Sequence, residues 1–352
     1  MWRPCGTFDD TYEKDIAIIR TSTQWVLTLA SLLALAILPW LVSGRIITTV
    51  NLIALSIISA QGINILTGLT GQVSLGQGAF MGIGAYTLTI LMKHLGFSFW
   101  LALPCGTISA GLIGLIFGLP SLRVKGFYLA MSTLACQFII PWMIIHVRPD
   151  LTGGTDTVNI PVPTFFGTPL STQPRIYYVV MFFTLATLYF TRNLARSKIG
   201  RAFVAIRDSD LAAEIMGIEI FKYKLLSFFI SSLLAGLAGC MWVLWLGSVH
   251  IDFFTIRESI WYVGMVVIGG LGSVPGTVLG VTFVRLLELF AESIGPFIAS
   301  FFPYFIGASI KTGISPLIFG LAMLFFLIYE PRGMAHRWEI VKHFYRSRPF
   351  RY

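Results

Sequence analysis

The sequence predicts an all-α, polytopic transmembrane helix bundle of about ten spans, and three observations carry that expectation. Of the 352 residues, 56% are hydrophobic and only 12% are charged, where soluble chains carry about 25% charge. The apolar residues come in long charge-free runs, 24–42, 46–92, 97–122, 127–145, 225–251 and 312–329. Glycine and proline punctuate these runs where loops would otherwise be. A helix crossing roughly 30 Å of hydrocarbon needs about 20 residues, and only a helix satisfies its own backbone there. A soluble core of this size would need charged faces between the runs, and they are missing.

Taken in order, a polar tail, 1–23, carries Asp9, Asp10, Glu13 and Asp15. It lacks the basic start and cleavage site of a secretory signal, so the first span is expected to persist. Breaks at Gly, Pro and charge then delimit segments 24–43, 46–66, 74–92, 97–119, 127–147, 176–191, 225–248, 259–273, 275–291 and 312–329 within a membrane domain, 24–330. The eighth and ninth are separated by Gly269, Gly270, Gly272, Pro275 and Gly276, which suits a tight turn between two spans or one interrupted helix. The stretch 293–311, with Pro296 and Pro303, reads as a surface connection, and 331–352 as a basic tail.

Charge asymmetry orients the chain. With the N-terminus inside, seven of the 25 basic residues (Arg45, Lys93, Arg148, Arg175, Arg257, Arg285, Lys311) fall on or near the outer side, and the remainder lie inside. That bias favours cytoplasmic N- and C-termini and an even number of spans. The net charge of +9 therefore reads as membrane topology, not as nucleic-acid binding.

The second span and its continuation are polar for a membrane helix. Asn51, Gln61, Asn64 and Thr67 precede the run from Gly71 to Phe80, which contains Gln72, Ser74 and Gln77. Uncharged amides in hydrocarbon must pair or face water. Two readings follow: a polar lining for a translocation path, or glue between helices, which the pairs Gly78/Gly82, Gly114/Gly118 and Gly276/Gly280 would accompany. Two Gly-rich interruptions, 68–84 and 269–280, hint at an internal repeat.

The inner loop 192–224 holds a basic interfacial helix, Arg201 to Arg207. Asp208, Ser209 or Asp210 can cap a second short helix, 211–216, which Gly217 can end. Leu211 and Ile215 stand one turn apart, flanked by Ala212, Ala213 and Glu214. So short a helix does not stand alone, and suits docking into a groove of a partner or covering its own bundle. The outer loop, 148–175, contains Thr152, Gly153, Gly154, Thr155 and Asp156. No GxxxxGK[ST] loop occurs, so no ATP-binding site is expected. Cys5, Cys105, Cys136 and Cys240 stand singly, and no histidine has a second ligand or nucleophile at telling spacing. No catalytic group, metal or cofactor is expected.

Gly71 to Tyr86 closely resembles the early signature of LivM-type permeases of branched-chain amino-acid ABC transporters. Gly126 to Leu134, including Thr133, and Leu151 to Thr155 resemble that family's next blocks. Ile199 to Ala202 with Arg201, Ala205 to Arg207, then Ala212, Ala213 and Gly217, resemble its ATPase-coupling loop. Gly269 to Ser273 with Gly276 resembles its late glycine signature, so the likeness spans about residues 47–333 in block order. Leu211 stands where the general coupling motif has Glu, and Asp156-Thr157 where Pro-Asn often follows the Gly pair.

The resemblance implies one half of a heterodimeric membrane core in a bacterial inner membrane. Its partners would be a second permease subunit, two cytoplasmic ATPases and a periplasmic substrate-binding protein. It implies a path for branched-chain amino acids or a related small neutral or zwitterionic solute, with Asn64, Gln72, Ser74, Gln77 and Thr133 as candidate path residues. Relatives also carry urea or short amides. A stand-alone secondary transporter is the rival reading, but such carriers commonly place coupling charges within spans, and here Glu288 and Glu292 lie near one end. Lacking a phosphate-binding lysine loop, the purified chain is expected neither to bind nor to hydrolyse ATP; turnover by the isolated subunit would refute this.

Overall fold

The computed structural model describes residues 22–119, 127–165, 168–170, 172–299 and 304–346. The acidic cluster of the N-terminal tail, Cys5, Arg123, Lys125, Gly126, Arg348 and Arg351 lie outside them. Each apolar segment is a helix: α1 Ser22–Leu41, α2 Gly44–Ile63, α3 Gln77–His94, α4 Phe99–Gly118 and α5 Phe127–His146 open the chain. A short α6, Pro149–Thr152, precedes α7 Gln173–Arg196. Then come α8 Lys198–Asp208, α9 Asp210–Ile215, α10 Ile220–Leu246, α11 Ile256–Gly269, α12 Val274–Ala299, α13 Tyr304–Tyr329 and α14 Met334–Arg346. The stretch expected as a surface connection around Pro296 is helical up to Ala299 and again from Tyr304, and most of the C-terminal tail is α14.

By length and composition, five described helices can each cross a membrane, Gly44–Leu69, Phe99–Gly118, Tyr128–His146, Ile220–Leu246 and Val274–Ile294. A sixth counts if α13 and α14, bent by 49° at Glu330–Gly333, form one span. The expected count of about ten exceeds this for a physical reason. Helix α11 has 14 residues, α3 has 18 with Lys93 and His94 in its last turn, and α7 carries Arg175, Arg192 and Arg196. Apolar side chains on α1, α4, α5 and α13, among them Leu33, Leu112, Trp142 and Leu324, point outward. That belt suits lipid contact.

Helix α10 is the centre of the bundle and packs on α2, α3 and α4. Its approach to α3 is backbone to backbone: a Cβ on Gly84 would collide with Gly236, and one on Gly239 with the Met81 carbonyl. Small residues are how membrane helices gain such contact. Around this core lie Leu55, Ile58, Phe80, Phe99, Cys240, Tyr262 and Val266, all fully buried.

Loops gather at two poles. At one, α6 and the two-residue strands β1 (Val158–Asn159), β2 (Thr164–Phe165), β3 (Thr168–Pro169) and β4 (Ser248–Val249) form a small ordered cap. β1 pairs with β4, and β2 with β3, antiparallel. His94 Nε2 lies 3.2 Å from the Leu151 carbonyl, and Trp100 Nε1 donates to the Thr164 carbonyl at 3.2 Å. At the other pole, α8, α9 and the turns after α11 and α13 meet.

Helices α11 and α12 fold back on each other, so the eighth and ninth segments are two antiparallel helices and not one interrupted rod. Gly269 faces the Gly276 carbonyl and Gly280 faces the Met265 carbonyl with no room for a Cβ. A large side chain forced into this seam should cost about 1–3 kcal/mol or more, against less than about 0.5 at an open surface position. We therefore expect Gly280→Leu to lower the melting temperature of the detergent-solubilised protein. Gly320→Leu, where a side chain meets nothing within 4 Å, should leave it unchanged. Equal melting temperatures would contradict the packing account.

Candidate translocation and coupling site

The end of α2 is not a simple helix terminus. From Asn64 to Leu69 the backbone widens into a six-residue π-helix, a form that recurs at functional sites. The chain then leaves helix altogether over 70–76 and re-enters it at Gln77. Gly71, at φ +71°, permits the turn, since a left-handed residue strains any side chain. Past it, Gly71 and Val73 are exposed and Leu75 is half-buried, while Gln72, Ser74 and Gly76 are buried. That period-two alternation is the signature of extended chain with one open face.

The break frees backbone groups inside the bundle, and side chains from two other elements, α5 and α11, take them up. Gly78 N–H donates to Ser259 Oγ at 2.8 Å, and Ala79 N–H to Gln137 Oε1 at 2.8 Å. These are first-turn donors of α3 that have no helical partner. Gln137 Nε2 donates in turn to the Phe254 carbonyl at 2.6 Å, so α5 bridges α3 to the 3₁₀ turn before α11. Leu75 N–H donates to Thr133 Oγ1 at 3.0 Å, which fixes the extended segment against α5.

The residues expected to line a path are all buried here. Gln77 Nε2 donates to the Ser59 carbonyl at 2.9 Å, and Gln72 Nε2 to Ser227 Oγ at 2.8 Å. Ser74 Oγ accepts from Gly76 N–H at 3.4 Å. Asn64 Oδ1 accepts from Gly272 N–H at 2.8 Å, and Gln61 Nε2 donates to the Val274 carbonyl at 3.1 Å. The two Gly-rich interruptions therefore meet, and amides from the first cap the second. Gln72 Oε1 and both amide atoms of Asn51 are buried without a partner among the described residues.

Sequence reasoning missed Gln137 and Ser259, whose isolated polar positions in α5 and α11 were their only signal. It also missed a buried charge cluster. Arg285, 3% exposed, donates to Glu288 Oε2 at 2.7 Å and to Ser56 Oγ at 2.8 Å. Glu258 Oε2 lies 3.5 Å from its Nη2. Glu258 and Glu288 thus share one guanidinium across the α11–α12 hairpin, which ties that hairpin to α2 through Ser56.

In the loop between α7 and α10, Ser197 caps α8 by accepting from Gly200 N–H at 3.3 Å. Of the three candidate caps for α9, Ser209 serves, accepting from Ala212 N–H at 3.3 Å. Asp210 instead pairs with Lys224 Nζ at 2.9 Å, pinning α9 to the base of α10. Gly217, at φ +80°, closes the helix as expected. Arg201 is exposed on α8, and its Nη1 donates to the Arg196 carbonyl at 3.2 Å. Leu211, Ile215 and Met216 project outward at 72%, 85% and 82% exposure, with Ala212 and Glu214 exposed beside them. Ala213 does not: it is 2% exposed and packs inside the chain's own loop.

Comparison with known proteins agrees with this architecture. Residues 45–328 match the model of the branched-chain amino acid transport system / permease component family. The high-affinity branched-chain amino acid transport system permease protein LivM of Escherichia coli (strain K12) is 30% identical over 344 residues, covering 90% of this chain and 76% of that protein. LivM of Salmonella typhimurium matches equally, at 30% over the same length. The permease protein LivH of Escherichia coli (strain K12) is 22% identical over 307 residues, covering 80% of this chain and 92% of its own. No solved structure matches. A helical membrane bundle matched along most of its length by permeases, at LivM-level identity over nine-tenths of the chain, belongs to the permease-component family of branched-chain amino acid transport systems.

Proposed function

We propose that this chain is the permease subunit of an ABC importer. It forms, with a second permease subunit, the path for branched-chain amino acids or a related small neutral or zwitterionic solute. Two separate ATPases drive it, and a periplasmic binding protein delivers the cargo. It does not itself act as an enzyme, and it sits in a bacterial inner membrane with both termini cytoplasmic and about ten passes, counting short and polar helices supported by their neighbours. The basic residues of α7, α8 and α14 at one pole support that orientation.

The observation that carries the reading is the exposed apolar knob of Leu211, Ile215 and Met216. It sits on a helix too short to be stable alone, yet capped by Ser209 and anchored by the Lys224–Asp210 pair. A rigid, solvated apolar surface of this kind fits a protein groove.

The path, in this reading, passes the open face of 70–76. Asn64, Gln72, Ser74, Gln77 and Thr133 form the polar layer behind it and hold the segment in shape. Gly71, Val73 and Leu75 meet the aqueous side first.

Two outcomes are expected. Ile215→Asp or Leu211→Asp places a charge in the docking contact without touching the fold of α9, and should abolish co-purification of the ATPases. Retention of the ATPases by both variants would sink the docking reading, whereas Ala213→Asp would damage the loop itself and is uninformative. In the assembled transporter, cysteines at 73 and 75 should label rapidly with a small water-soluble maleimide. Cysteines at 72, 74 and 77 should label slowly, and only with a nucleotide-dependent change. Inert thiols at all five positions would leave the segment as helix glue alone.

A further inference from the structure

The docking loop reaches the break through Arg207 as well as through the packing of Phe203. Arg207, at the C-terminal end of α8, donates from Nη1 to the Gly68 carbonyl at 3.0 Å. That carbonyl lies near the end of the π-helix, where carbonyls lack helical partners, and a cationic donor there is charge-assisted and matches the local dipole. Nε and Nη2 rest on Asp208 Oδ1 at 3.1 and 3.0 Å, which orients the guanidinium. The same side chain lines both glycine breaks. A Cβ on Gly71 would lie 3.0 Å from Arg207 Cγ, and one on Gly272 would lie 3.3 Å from Nη1.

Arg207 is half-exposed, and the helix that carries it is held by packing. Phe203 of α8 is fully buried in one apolar cluster with Ile65 and Leu69 of the π-helix, Leu194 of α7, and Ile230 and Leu234 of α10. Helix α9 follows α8 after Ser209 and is held to α10 by Asp210 and Lys224. A displacement of α9 therefore passes into α8 through packed atoms and reaches Gly68 through the guanidinium. Beyond Gly68, Gly272 N–H on Asn64 and the Val274 carbonyl on Gln61 carry it into the α11–α12 hairpin. A π-turn differs from an α-turn by one residue of backbone slack, so a six-residue π-helix is an element able to take up or release that displacement.

We propose that Arg207 is the positioning residue that transmits movement of the α9 docking helix to the 70–76 break, by holding or releasing the Gly68 carbonyl where the two glycine breaks meet. The proposal rests on the docking reading above. It requires that Arg207 be needed for coupling and dispensable for both docking and ATP hydrolysis.

The test uses the whole complex, with both permease subunits, the ATPases and the binding protein, in proteoliposomes. Radiolabelled leucine is the transported probe, and maleimide labelling of Val73→Cys is a readout independent of the cargo. Arg207→Met should keep ATPase co-purification and hydrolysis, while leucine moved per ATP falls about tenfold or more and the nucleotide-dependent change in labelling at 73 disappears. Arg207→Lys, which retains one charged donor, should restore part of both. Wild-type nucleotide-dependent labelling at 73 in Arg207→Met would overturn the proposal. So would a parallel loss of assembly, hydrolysis and labelling response in both variants, the mark of a merely structural arginine. Ile215→Asp and Leu211→Asp separate the two ideas: if both retain the ATPases the docking reading fails, while failure of the Arg207 prediction with ATPases lost from either variant removes only the transmission step.

Discussion

The requirement that every backbone group freed inside the bundle find an internal partner governs this structure. Hydrocarbon offers no hydrogen bonds, and a buried orphan amide costs several kcal/mol in that setting. At 70–76 the chain abandons helix within the bundle, and α3 restarts beside Ser59, part-way along α2. The unmet N–H groups of Gly78, Ala79 and Leu75 are taken by Ser259, Gln137 and Thr133, from α11 and α5. Those three contacts set how α5 and α11 sit on α3. The remaining polar residues of α2 extend the same logic to the second break at Gly272.

This requirement explains why a chain so apolar keeps so many amides and hydroxyls at its centre, and why glycines flank them. Side chains that cap a foreign backbone must reach it, which demands close approach of helices. Gly84 against Gly236 and Gly280 against Met265 supply that approach. The charges obey the same rule in a stronger form. Arg285 is tolerable in the interior because Glu258, Glu288 and Ser56 surround it, and removing one partner of such a set strands the rest.

Function reads naturally onto this frame. A bundle whose break is held by many moderate hydrogen bonds, none of them dominant, can be rearranged without unfolding. The loop between α7 and α10 is built differently: its helices are capped by Ser197 and Ser209, pinned by a salt bridge and wedged by Phe203. Under the proposed function, a stiff loop set against a compliant break suits coupling between an energy source and a gate.

Composition and charge-free runs by themselves determined that the chain is a helical membrane bundle. They located most of the segments that become helices, because burial in lipid leaves a backbone few other choices, but not the extension of α12 to Ala299, the start of α13 at Tyr304, or α14. Gly217 as the end of α9 was legible too, and the N-cap was narrowed to Asp208, Ser209 or Asp210, since capping is chemistry local to a few residues. Only the tertiary structure decided what each polar residue does. Gln137 and Ser259 are single polar positions on apolar helices, and nothing along the chain links them to Gly78 and Ala79. Ala213 and Ile215 differ little in sequence context, yet one is buried and the other exposed, because the direction of α9 is set by Asp210 on Lys224. The charge cluster around Arg285 and the reach of Arg207 to Gly68 join residues far apart in sequence. Such contacts depend on the relative placement of whole helices, and periodicity within one helix carries no information about that placement.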